Sequence, residues 1–416
     1  YRIMAYRADQ TSTHERRSVV ISGAGIVTSM GCGVAENAVG FRAGRTAFRE
    51  VDLFDVSQQR VSTAGQAPLP DRPDLPRLTC RQWRWMDRGT RFALTAAEEA
   101  LRVAGLRGRM PVIVGTSAGA MPLGEEYYRQ ALAGKRAGQL RRVEHYQSQR
   151  QMTDVMRALG VYGPLRIISN ACASGANAIG HAFHLVREGK ADRVLAGGYD
   201  GLAQLVFAGF DSLQALAPSG IPRPFDAHRD GLAIGEGAGF VVVESEASAR
   251  AREATVQARI LGYGAATDVH HLTQPHPEGD AALWTMSAAT QMAGLKPEDI
   301  DYINSHGTGT PLNDVAEAAA IRRWAGETVA NVQVSSTKSA IGHLLGGAGA
   351  VESVICLMAL EGQWLPANLG VREMDPAVEF DLVCEPRSAT VNVVLTNSFG
   401  FGGANATLVM GRGDSR

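Results

Sequence analysis

The strongest constraint on the fold is an internal echo. "RIISNACASGANAIGHAF" followed by "RVLAGGYDG" parallels "VQVSSTKSAIGHLLGGAGAVESVICLMAL" followed by "VNVVLTNSFGFGG". In each case a β-rich run turns through small residues into a helical stretch, and a second β-rich run follows. Repeating that unit predicts two α/β halves packed as pseudo-twofold mates, with residues 18–256 and 257–412 as their spans. Groups at equivalent strand-to-helix turns would then converge on one cleft. "SVVISG", "MPVIVGT", "QARILGYG" and "DYINSHG" extend the alternation, and buried, largely parallel strands are expected. A chain of 416 residues has the volume for such a duplicated core.

Chemistry concentrates at those turns. Cys172 sits where a strand gives way to a helix, and unpaired N–H groups at a helix start favour a thiolate. Ala171, Ala173, Ser174 and Gly175 leave room for a bulky group to approach. A lone cysteine is equally often a small buried apolar residue, so position alone leaves both readings open. Cys32, Cys80, Cys356 and Cys384 are scattered without CxxC spacing, which argues for a reduced, cytoplasmic protein over a disulfide or zinc scaffold.

In "NSHGTGTPLND" a strand ends at His306, and a Gly/Thr loop carrying Thr308 and Thr310 leads to a helix capped near Asp314. In "SSTKSAIGHLLGGAGA", Lys338 and His343 bridge a strand end and a glycine-rich helix start. Two histidines aimed at one carbonyl oxygen suit a reaction that passes through an enolate. Lys338 is one of only four lysines, so a cation there is suggestive. In "NSFGFGGANATLVM", Phe399 and Phe401 lie among glycines, where a backbone N–H can serve an oxyanion and a ring can act as a gate.

Other classes fit less well. With 41 basic and 42 acidic residues the chain has no global footprint of nucleic-acid or anionic-membrane binding. No apolar segment reads as a membrane span, and the opening "YRIMAYRADQTSTHERR" lacks the apolar centre of a signal peptide. "GTSAG" fits the nucleophile elbow of serine hydrolases at Ser117, but no HGGG-type loop precedes it. "GAGIVT" fails the dinucleotide fingerprint at its last glycine.

"NACASG", "RPFDAHRDGLAIGEGAGFVVVE", "HGTGTPLND", "TKSAIGHLLGGAGAVE" and "NSFGFGGAN", in that order, resemble the β-ketoacyl-acyl carrier protein synthases of the thiolase superfamily, Cys-His-His type. The likeness implies a thiolase-like duplicated αβαβα five-layer fold and no metal or redox cofactor. It also implies substrates carried on the phosphopantetheine of an acyl carrier protein, and either a homodimer or a heterodimer with a chain-length-factor-like homologue.

Carried over by position, Cys172 is the acyl acceptor, His306 and His343 serve decarboxylation and condensation, and Lys338 and Glu352 support them. Phe401 is the gate, with Phe399 beside it, and the N–H groups of Cys172 and Phe401 form the oxyanion hole. Thr308 and Thr310 hold the pantetheine arm. Arg81, Arg84, Arg141 and Arg142 match docking positions for an acidic carrier protein, and Ala118 and Phe210 fall in the acyl pocket.

Departures bear on the substrate. Asn170 stands where Thr is usual, Ala118 is small, "ALAPSGIPRPFD" is short, and His270 adds a second histidine beside His271. These lean toward a type II polyketide ketosynthase, with primary fatty acid elongation and a non-catalytic chain-length factor as alternatives. A chain-length factor lacks the nucleophile that Cys172 supplies here. Thiolases and Cys-His-Asn synthases would need a different group at His343.

Overall fold

The computed structural model describes residues 16–135 and 138–413; most of the opening stretch read above lies outside them. The main strands of the first half are β1 (Val19–Thr28), β2 (Val112–Gly115), β3 (Leu165–Ile168), β4 (Arg193–Asp200) and β5 (Gly237–Ser245). Those of the second half are β6 (Ala258–Thr267), β7 (Tyr302–Asn304), β8 (Gln333–Ser335), β9 (Val393–Phe399) and β10 (Ala404–Arg412). With short strands at Gly31–Cys32 and Asp381–Leu382 they form one sheet of twelve strands among the described residues.

The order of the main strands is β8-β7-β9-β10-β6-β1-β5-β4-β2-β3, a palindrome in which each strand of the first half has its mate five numbers on. The halves join where β1 meets β6, through Val20 opposite Arg259 and Ile21 opposite Ala258. Both central strands slip register at matching places, between Ile21 and Gly23 and between Ile260 and Gly262. Such bulges bend a strand and sharpen its twist, so the shared irregularity belongs to the repeat. The sheet is mixed rather than largely parallel, because β5 and β10 run antiparallel to both their neighbours.

Of the helices among the described residues, those that matter here are α1 (Arg88–Ala104), α2 (Met121–Leu132), α3 (Leu140–Tyr146), α4 (Ser148–Leu159), α5 (Ser174–Arg187), α6 (Gln204–Ser212), α7 (Asp280–Ala293), α8 (Pro311–Ala325) and α9 (Ala348–Gly362). Helices α1 and α4 cover the outer face of the first half, and α7 and α8 that of the second. Between the halves lie α5 and α9, each touching strands of both. The five layers of a thiolase-like fold result.

Helix α9 looks as it does because it has almost no solvent face. Every residue of α9 from Ala348 to Leu360 is buried, as a helix apolar on all sides requires. The stretch Leu345–Gly362 is therefore long and apolar enough to cross a membrane, yet 89% of it lies inside the protein core. Fully buried side chains such as Ile179 and Val354 each contribute about 1.5–3 kcal/mol.

Small residues set how closely these helices cross. A Cβ added at Gly175 would lie 2.8 Å from the Ala350 nitrogen, and one at Gly349 would lie 2.8 Å from that of Ala176. Because Cys172 leads into α5 and His343 stands just ahead of α9, this crossing brings thiol and imidazole to one point.

Candidate active site

The turn after β3 aims the thiol. Ala171 has φ of 54°, a left-handed conformation uncommon for a residue with a side chain. Its carbonyl accepts from Ser174 Oγ at 2.6 Å, from the Ser174 N–H at 3.1 Å and from Ser117 Oγ at 3.1 Å, and these bonds hold the strained turn. Cys172 is buried. Burial pushes its thiol up to about 12, against the pull of the Lys338 ammonium and the Phe401 N–H. The resting group is a neutral thiol, so at this depth desolvation outweighs the thiolate preference expected of a helix start.

His343 lies in a turn pinned on both sides, its N–H donating to Ala233 at 2.7 Å and its carbonyl accepting from Gly235 at 2.9 Å. Its Nε2 is 2.9 Å from Cys172 Sγ. The His306 ring stands perpendicular to that of His343, with centroids 5.3 Å apart, and Phe399 lies 5.6 Å from it. Donor atoms of Cys172, His306 and His343 all fall within 4.8 Å of one another. Burial and the nearby Lys338 charge hold both imidazoles well below their usual pKa. Each is neutral near pH 7, with one ring N–H to donate.

Lys338 is wholly buried and its ammonium hydrogen-bonds the Glu352 carboxylate, which is equally buried. A lone buried charge would be prohibitively costly, and the pair places a compensated cation beside the thiol.

Three buried carboxylates that the sequence does not single out for the site carry the scaffold. Glu317 accepts from the N–H groups of His306 at 2.8 Å and Gly307 at 2.7 Å and from Asn397 Nδ2 at 3.2 Å. Burial raises it to about 7. One turn earlier on α8, Asp314 accepts from the N–H groups of Thr308 at 3.1 Å, Gly309 at 3.1 Å and Phe225 at 2.9 Å. It is not the helix cap: Thr310 precedes the first helical residue, Pro311, and Asp314 folds back onto the loop. Thr308 and Thr310 are thereby set with their hydroxyls 2.9 Å apart.

Asp200, at the end of β4, is the third. It accepts from Thr116 Oγ1 at 2.7 Å and from the N–H groups of Ser117, Ala118, Gly119 and Gly346 at 2.7–3.0 Å. "GTSAG" is thus a cradle for a carboxylate. The Ser117 hydroxyl is given to the Ala171 carbonyl, and no imidazole touches it among the described residues, so the serine-hydrolase reading loses its base.

A cavity of about 330 Å³ opens on the triad, lined by Cys172, His306, His343, Thr308, Thr310, Phe399, Phe210 and Phe401. Phe210 and Phe401 stack at 5.9 Å with their rings 19° apart. Ala118 does not line this cavity; it packs behind it in an apolar cluster with Phe207, Leu216, Leu232 and Leu345. The mouth is completed by residues 268–279. Their backbone holds the Phe401 turn through Gly402 N–H to Leu272 at 2.7 Å and Asp268 N–H to Gly403 at 2.8 Å. His271 lines the cavity, while His270 faces His276 at 5.2 Å.

The proposed docking arginines divide. Arg81 and Arg84 are exposed on the short helix Cys80–Trp85, and the Arg141 guanidinium lies 4.5 Å over the Trp85 ring. Arg142 is turned to Gln139 at 2.7 Å and Glu126 at 4.0 Å, so part of its charge is answered within the protein.

Comparison with known proteins agrees with this geometry. Residues 16–249 match "Beta-ketoacyl synthase, N-terminal domain" and residues 257–372 match "Beta-ketoacyl synthase, C-terminal domain". The chain is 36% identical to 3-oxoacyl-[acyl-carrier-protein] synthase 2 of Synechocystis sp. over 409 residues, covering 95% of this chain and 98% of that protein. Among solved structures it is similar to the ishigamide ketosynthase/chain length factor, with TM-score 0.89, 34% identity and coverage of 95% and 99% of the two chains. It is also similar to a type II PKS acyl-carrier protein in complex with its hexaketide-bound ketosynthase, with TM-score 0.84, 27% identity and coverage of 95% and 100%.

Proposed function

We propose, from the premise that this chain belongs to the beta-ketoacyl synthase family and is a Cys-His-His acyltransferase, that it is the ketosynthase of a type II polyketide pathway, working with a carrier protein and a chain-length-factor-like partner. The observation that carries the chemistry is the thiol of Cys172 set 2.9 Å from His343 Nε2, with His306 across from it, at a cavity long enough to admit a tethered thioester.

The steps follow from the groups present. An acyl thioester on carrier-protein phosphopantetheine is attacked by Cys172 Sγ. The thiol proton passes to His343 Nε2 and on to the departing pantetheine sulfur, leaving an S-acyl enzyme. Malonyl carrier protein follows, its arm lying along Thr308 and Thr310. Loss of carbon dioxide leaves an enolate whose oxygen takes hydrogen bonds from neutral His306 and His343. The enolate carbon attacks the acyl carbonyl, whose oxyanion rests on the Cys172 and Phe401 N–H groups, and collapse releases a β-ketoacyl thioester and the Cys172 thiolate, which takes a proton from solvent to restore the thiol. Losing one such donor typically costs about 100- to 1,000-fold in rate. Phe401, stacked on Phe210, swings aside to admit each acyl group, and Arg81, Arg84 and Arg141 receive the acidic carrier protein.

The polyketide assignment is supported by the likeness to ketosynthases of that class. The curated relative from Synechocystis favours fatty acid elongation as the second reading. The test is reconstitution with malonyl carrier protein and a panel of saturated and conjugated polyenoyl carrier proteins, with mass analysis of the product chains. Extension of the unsaturated chains in preference to saturated ones is expected. Preference for saturated chains of fatty acid length would replace the pathway while leaving the reaction in place.

A further inference from the structure

We infer that Cys172, His306 and His343 form a reversible inhibitory site for a thiophilic divalent cation of the zinc type. Three buried donors of the kinds zinc prefers, one sulfur and two imidazole nitrogens, lie within 4.8 Å of one another. Zinc needs nitrogens at about 2.0–2.1 Å and sulfur at about 2.3 Å, which sub-ångström to ångström movements of these side chains provide. Three protein donors leave the fourth tetrahedral position open, and here it faces the cavity through which a small ion and its water arrive.

Zinc takes histidine as the neutral imidazole and cysteine as the thiolate, and these three side chains supply that donor set. The nearest cation, Lys338, opposes the metal, and its pairing with Glu352 offsets part of that repulsion. Binding replaces the S–H bond of Cys172 by an S–metal bond, and the proton leaves to solvent.

The site also differs from that of a resident cofactor. A histidine that holds a permanent metal usually gives its second ring nitrogen to a carboxylate or carbonyl; among the described residues the Nδ1 atoms of His306 and His343 are both buried without a hydrogen-bond partner, and Glu317 reaches only the His306 backbone N–H. Losing that outer support typically weakens a metal about 10- to 100-fold. An ion here comes and goes, and while bound it blocks acyl loading and condensation together.

Cobalt(II) titrated into the full chain tests the proposal without reference to the condensation reaction. A thiolate-to-cobalt absorption band is expected, with loss of the band on displacement by zinc. The band should vanish in Cys172→Ser and in wild-type protein alkylated with iodoacetamide at Cys172, and it should weaken in His306→Ala. The alkylated wild type decides the matter if the serine variant fails to fold. Absence of the band overturns the proposal, and its survival after alkylation of Cys172 overturns it too, by placing the ion at another thiol such as the exposed Cys80 or Cys384. Failure of acyl transfer, by contrast, would bear on the proposed reaction alone.

Discussion

At the scale of single residues, depth decides the chemistry. His306 and His343 are about 3% and 2% exposed, and this burial, with Lys338 nearby, keeps them neutral far into the acid range. An ordinary histidine of pKa about 6.5 would lose about three quarters of its neutral form between pH 8 and pH 6. Condensation limited by these two donors should instead change less than about twofold in kcat over that interval. A fourfold fall with an inflection near 6.5 would show that a solvated imidazole is in control. The contribution of these two residues to stability runs the other way: below about pH 6.5 they bind protons in the unfolded chain that they refuse in the folded one, so their share of the stability falls in acid, while Glu317, raised to about 7 by burial, contributes with the opposite sign. The sequence displays Cys172, His306, His343 and Lys338 because each stands at a strand-to-helix turn. It does not display how deep they lie, and the thiolate expected at Cys172 is a neutral thiol for that reason.

At the scale of elements, the α5–α9 crossing sets the thiol against the imidazole. Replacing Gly175 by Leu forces a side chain against the Ala350 backbone at the tightest point of that crossing. Overpacking of this kind typically costs about 1–3 kcal/mol. The expected outcome is a folded protein with a lowered Tm and a kcat for condensation reduced more than tenfold, because the Sγ to Nε2 contact opens. An unchanged kcat would mean that the crossing does not position the pair. The crossing is legible in outline from the small residues after Cys172 and after His343. The supports of the HGTGT loop are less so: Asp314 reads as a cap and Glu317 as an ordinary helix residue, because the N–H groups they accept belong to segments brought to them only by folding. The same holds for Asp200, whose partners sit on two separate loops. A run of carboxylates inside otherwise apolar elements is the signal that was available.

For the molecule as a whole, the repeat read in the sequence becomes a palindromic sheet, down to matched bulges in β1 and β6. What the repeat does not convey is strand direction, since β5 and β10 share the apolar composition of the parallel strands elsewhere in the sheet and differ only in how the chain returns to them. The central claim is that this fold exists to present Cys172 as an acyl acceptor, and intact-protein mass spectrometry after mixing with a panel of acyl carrier proteins tests it most directly. The account predicts a mass gain equal to the acyl group, absent in Cys172→Ala. A gain that persists in that variant, or none with any carrier protein even beside a co-expressed partner subunit, would contradict it.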